Sequence, residues 1–227
     1  MKTLATFRLL LMAPAFLLIL QASPLAAAPK GLDLTGLPGP LAHQVRAVLS
    51  KANTLAKMPP LVLQGPGGGG APSTALTLPI LNASSRPQVS AHGQIGLAWV
   101  GGNAAYKAQL LSSAQPVVIT SVATTQAVFQ SNTIVPGTYT VQITDSGGQT
   151  ITGTFDVVQS GPVLSPDPIE QYRGKVPPPV FAIAKASLFA KQGRQFYLQA
   201  YQLLSPFLDY PDAANLRQAL VQGAPVQ

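Results

Sequence analysis

Apolar positions along this chain follow a different rule in each part. Leu41, Val45, Val48, Leu49 and Leu55 recur at helical spacing as far as Met58. Pro40 suits a first helical turn, where its missing N–H costs nothing, and Pro59-Pro60 ends the run. His43, Arg46, Ser50, Asn53 and Lys57 fall on another face, polar and weakly basic. From about Leu76 to Val158 the pattern changes to short β-branched and aromatic runs, separated by turn signals at intervals of roughly 8 to 12 residues. Candidate strands are Leu76 to Leu81, Gln94 to Val100, Tyr106 to Leu111, Pro116 to Ser121 and Gln126 to Gln130. A closing hairpin brings the number to about seven, which predicts an antiparallel two-sheet sandwich. Beyond Val180 the helical period returns. Val180 to Gln192 and Arg194 to Leu204 form a hairpin broken at Gly193, and a further helix runs from Pro211 to about Gln222.

The closing hairpin is the most regular part. Tyr139, Val141 and Ile143 point one way and Thr138, Thr140, Gln142 and Thr144 the other. On the return, Ile151, Phe155 and Val157 share the first face, and Thr150, Thr152, Thr154 and Asp156 share the second. Strict alternation means one buried and one wet face. Gly153 interrupts the buried row, where a bulge or a close neighbour is expected. Asp145-Ser146-Gly147-Gly148 stands where the strands must reverse, and it reads as a turn rather than a cation site, since several oxygen ligands would be needed.

Pro136-Gly-Thr-Tyr-Thr-Val-Gln-Ile-Thr-Asp-Ser-Gly-Gly resembles the closing hairpin of immunoglobulin-like, PKD-like repeats in bacterial surface proteins. Leu97-Ala-Trp-Val-Gly-Gly-Asn-Ala-Ala-Tyr106 is similar to an earlier strand pair of such domains. The resemblance covers residues 76–160. It implies adhesion, spacing or protein contact rather than catalysis.

Two further features place the chain in the cell. Lys2 and Arg8 precede an apolar run from Leu9 to Leu20, and Ala26-Ala27-Ala28 supplies small residues for cleavage. This reads as a signal peptide ending at Ala27. The apolar run is shorter than the roughly 20 residues that span a bilayer. Cysteine is absent, which excludes disulfides, thiolate metal sites, cysteine nucleophiles and a lipidated cysteine after the signal. The formal charge is +7, and loss of Lys2 and Arg8 with the signal leaves +5. That excess reflects scarce acids rather than basic clusters, so nucleic acid is not expected as a partner.

The resulting organisation is a signal peptide (1–27), an amphipathic helical region (28–63), a Gly/Pro linker (64–75), the sandwich (76–160), a Pro-rich linker (161–179) and a helical tail (180–227). The glycine-rich stretch is no phosphate loop: Ala71-Pro72 follows it, without the lysine and helix that such a loop requires. The fold class is therefore mainly β, an immunoglobulin-like sandwich with an N-terminal helix and a C-terminal helical hairpin.

Chemistry is sparse. His43 and His92 are the two histidines, and no acid stands at metal-ligand spacing from either. Neither a Gly-x-Ser-x-Gly elbow nor a Ser-x-x-Lys motif occurs. A hydrolase would have to draw its base from His92. No catalytic residue, metal or cofactor is expected. The candidate interaction face is Thr138, Thr140, Gln142, Thr150, Thr152 and Thr154, and the candidate docking helix presents His43, Arg46 and Lys57. These residues fit an exported accessory protein, periplasmic or extracellular, that contacts another envelope or surface protein. Wall polymer, carbohydrate or a membrane surface is the alternative partner. Trp99 and Tyr106 are the aromatic candidates for sugar binding, with a core role as the competing reading of Trp99.

Overall fold

The computed structural model describes residues 31–57, 75–91, 94–113, 115–130, 132 and 134–226. The signal peptide, all but one residue of the Gly/Pro linker and His92 lie outside them.

The opening helix, α1 (Gly39–Ala56), buries Leu41, Val45, Val48, Leu49 and Ala52 along one stripe, as its spacing predicts. Seven strands follow: β1 (Gln88–Ser90), β2 (Gln94–Ala98), β3 (Tyr106–Ser112), β4 (Gln115–Val122), β5 (Gln126–Gln130), β6 (Gly137–Asp145) and β7 (Thr150–Val158). One sheet has the order β1-β7-β6-β3-β4, and the other pairs β2 with β5. Three helices complete the chain: α2 (Pro178–Gln192), α3 (Tyr197–Leu204) and α4 (Pro211–Val221).

The two sheets make the sandwich-like arrangement that was expected, but three details differ. Leu76 to Leu81 is no strand. Thr77 makes an isolated bridge with Val100, and Pro79, which has no N–H to give to a ladder, opens a single 3₁₀ turn to Leu81. The seventh strand is instead the short β1, whose three residues lie below the length at which alternation can be read. β1 also breaks the antiparallel rule, since it runs parallel to β7 with Val89 opposite Val157. The five strands between them give the chain ample length for the crossover that a parallel pair needs.

The β6–β7 hairpin follows its sequence pattern residue by residue. Tyr139 lies opposite Phe155 and Ile143 opposite Ile151. Tyr139, Val141, Ile143, Phe155 and Val157 are buried. Gly153 keeps the register opposite Val141, so it marks a close neighbour and not a bulge. A methyl group there would stand 2.7 Å from Leu81 Cδ1 and 2.9 Å from Leu78 Cδ2. The Tyr139 hydroxyl donates to Val135 O and accepts from Val135 N, both at 3.0 Å. That return to the backbone four residues upstream is similar to the tyrosine corner of immunoglobulin-type sandwiches.

The helices form a substantial layer. Helix accounts for about 37% of the described residues against 28% for strand, so the fold is a sandwich with a helical layer rather than mainly β. The tail is also more than a hairpin. α2 is buried on nearly every side, α4 packs on α1, and Asn53 joins α1 to α4 through Asp212 and Asn215 at 2.9 Å each. Residues from Leu34 to Val226 share one hydrophobic core. The Pro-rich segment 161–179 contributes Leu164, Ile169 and Val176 to it.

α3 packs on β1 and β2 and closes an edge of each sheet. Gln199 Oε1 accepts from Ser90 N at 2.9 Å, and the Gln202 amide both accepts from Gly96 N at 3.0 Å and donates to Gly96 O at 2.6 Å. Each glutamine does for β1 or β2 what another strand would do. β4 ends the sheet order, without such a cap among the described residues, and Pro116 and a register shift at Leu110/Leu111 mark it as an edge.

Candidate functional site

The structure brings the six residues of the predicted interaction face together. Across β6 and β7, Thr138 faces Asp156, Thr140 faces Thr154 and Gln142 faces Thr152. Thr138, Thr150 and Thr152 are exposed, and Thr140, Gln142 and Thr154 are half-buried by one another. Their hydroxyls interact within the sheet, with Thr144 and Thr150 at 3.0 Å, Thr140 and Thr154 at 3.5 Å, and Thr138 donating to Asp156 at 2.7 Å. The face continues from Gln142 to Gln109 and on to Ile119 of the open edge, which is 52% exposed. Charge is confined to Lys107 and to the pair Arg86–Asp156 at one end, 3.2 Å apart.

The predicted docking residues do not form one site. His43, Arg46 and Lys57 are all exposed. Arg46 and Lys57 border a polar recess of about 380 Å³ with Asn53 and Asp212, whereas His43 stands outside it.

Asp145 is buried and holds its turn. Its Oδ2 accepts from Asn103 N and its Oδ1 from Gln149 N, both at 2.8 Å. Gly148 takes a positive φ of 84°, as the reversal requires. Both carboxylate oxygens are engaged by backbone, so the turn reading holds. Among the described residues, no group of three or more His, Asp or Glu is placed to hold a metal.

A second acidic cluster ties the Pro-rich segment to α2. Lys185 reaches Asp167 at 3.2 Å and Glu170 at 2.6 Å, and Arg173 pairs with Glu170 while lying 4.7 Å from the Phe181 ring. The bond from Arg173, and then that from Lys185, holds the Glu170 carboxyl down at about 2.

Trp99 and Tyr106 are core residues, 1% and 5% exposed, with rings edge to face at 5.2 Å. An exposed sugar-stacking role for either is thereby corrected. Trp99 instead contributes to a feature that its sequence neighbours do not announce. A cavity of about 420 Å³ lies between the end of the β2–β5 ribbon and one stripe of α4. The ribbon supplies Trp99 and Gln126, α3 supplies Tyr201, and α4 supplies Ala214, Arg217, Gln218 and Val221 at helical spacing, with its C-cap Gln222. The Arg217 guanidinium stacks 4.2 Å from the Tyr201 ring, donates to the Tyr201 hydroxyl and reaches Gln126 Oε1 at 3.2 Å. Burial pushes the Tyr201 phenol above its ordinary value against the opposing pull of Arg217, so it keeps its proton. Two buried donors here lack any acceptor among the described residues, Trp99 Nε1 and Arg217 Nε. The sequence offered one signal, a lone arginine on the otherwise neutral second half of α4.

No protein-family model matches the chain, and no curated protein is similar to it. Among solved structures, a chain described as CopC from Methylosinus trichosporium OB3b is 17% identical, with a TM-score of 0.26 over 36% of this chain and 91% of that one. A likeness of that extent falls short of a shared overall fold.

Proposed function

We propose that the protein is an exported, non-enzymatic accessory protein that contacts another envelope protein through the bare face and open edge of its five-stranded sheet. One observation carries this reading. The helices pack against β1, β2 and the 3₁₀ turn at Leu81, and glutamines cap β1 and β2, while no described helix packs on the Thr138–Thr154 face or on β4. An uncharged hydroxyl face beside an unpaired strand supports partner binding by strand addition, in which main-chain bonds give affinity and the flanking face gives selectivity. The PKD-like character of the domain belongs to the same proposal. The N-terminal leader supports export, and among the described residues no helix is long and apolar enough to cross a membrane.

The test is photocrosslinking in intact cells, with the crosslinker placed at Ile119, at Thr152, or at Thr35 as a control. Discrete protein adducts from Ile119 and Thr152, absent from Thr35 and lost in Thr140→Lys, are expected. Adducts equal at all three positions, label on wall polymer alone, or an unprocessed cytoplasmic protein would overturn the reading.

A further inference from the structure

We infer that the cavity between the β2–β5 ribbon and α4 is a binding site for a small organic carboxylate with an apolar body, separate from the sheet face. The argument begins with unused hydrogen-bonding capacity. Buried donors are nearly always satisfied in folded proteins, and each orphan calls for an explanation. Here Trp99 Nε1 and Arg217 Nε are both orphaned, and both residues sit in the wall of one cavity. The Tyr201 oxygen accepts from Arg217, which leaves its own O–H free to donate. The edge-to-face contact of Trp99 with Tyr106 supplies ring surface but no lone pair.

The sign of the charge selects the ligand class. Arg217 is the single charged residue among the twelve that line the cavity, and it belongs to no ion pair among the described residues. A half-buried guanidinium without a carboxylate is an incomplete pair, and its planar fork matches a carboxylate. One cation also limits the ligand to one negative charge. A phosphate dianion would need a second cation or a nest of backbone N–H groups. A neutral sugar would use an aromatic face, and that of Trp99 is buried. Val100, Leu208 and Val221 provide an apolar wall for the rest of the ligand. The volume of about 420 Å³ falls within the range of small-molecule sites.

Because Trp99 is the only tryptophan, its indole N–H gives a single resonance that reports on the site. The full chain, isotopically labelled, is titrated with hexanoate, with hexanamide and with sulfate at matched ionic strength. The expected result is a saturable shift of that resonance with hexanoate alone. Arg217→Met should weaken binding roughly 10- to 100-fold, the range for a lost charged hydrogen bond. Tyr201→Phe keeps the ring on which Arg217 stacks, and should weaken binding roughly 2- to 10-fold. It decides the matter if Arg217→Met fails to fold. No shift, an equal shift with hexanamide or sulfate, or undiminished affinity in a folded variant would each overturn the inference.

Discussion

Asp145 and Arg217 are polar groups served by the same short stretch of chain, and they have opposite accounts. Residues 99–103 give Asn103 N to Asp145 and give Trp99 to the cavity beside Arg217. At Asp145 each carboxylate oxygen meets a backbone donor at 2.8 Å, and the acceptor capacity is used by the turn it closes. At Arg217 and Trp99 one buried N–H each has no acceptor among the described residues. A polar group whose bonds are all internal stabilises the fold. One with bonds to spare, in the wall of a cavity, is what the carboxylate-site inference rests on.

The largest effect should come from the satisfied side. Asp145→Ala removes two charge-assisted bonds and strands two backbone donors, costing about 3 kcal/mol. Asp145→Asn, with one amide oxygen to share, should cost about half as much. Denaturant midpoints would measure both. A cost below about 1 kcal/mol for Asp145→Ala would remove the basis for calling that cluster structural.

Next comes Gln199→Leu, which leaves Ser90 N and the β1 edge without an acceptor and should cost about 2 kcal/mol. It should also raise the tendency to associate, because an uncapped edge is a template for pairing. Sedimentation velocity alongside the melt would show both. Arg217→Met belongs to the other side of the comparison. It removes the surplus donor together with the cation–π contact and the partly exposed bonds to Tyr201 and Gln126, so it should cost about 1 to 2 kcal/mol, less than Asp145→Ala. A loss as large as that of Asp145→Ala would make Arg217 structural too.

The same contrast governs what could be read from sequence. The turn at Asp145 was legible because its donor Gln149 and its glycines are local, and the β6–β7 hairpin because Tyr139 to Ile143 and Phe155 to Val157 alternate strictly. The threonine face followed from the same alternation. Trp99, Tyr201 and Arg217 were not legible as a group. They lie on a strand end and two helices, and only the packing of α3 and α4 against the ribbon joins them. β1 escaped for a similar reason: its three residues become a strand only because β7 lies on one side and Gln199 on the other. The tail helices are legible from Val180 onward, but their packing with α1 and the sheets into one layer is not, because it joins segments far apart in sequence.

The smallest predicted effect concerns pH, and it extends the comparison to an exposed cluster. Glu170 is paired by Arg173 and Lys185, which bring its carboxyl from an ordinary 4.5 to about 2. A lowered folded value means that the pairing contributes fully above the unfolded value near 4.5 and is lost as pH falls through about 2. Glu170 remains 44% exposed, so solvent screens the pair and its contribution stays below about 1 kcal/mol. Urea midpoints from about pH 5 to about pH 2 should therefore fall less steeply in Glu170→Gln than in the natural chain, and added salt should narrow the difference. Equal slopes would show that Lys185, which keeps Asp167 at 3.2 Å, anchors the Pro-rich segment to α2 without help from Glu170.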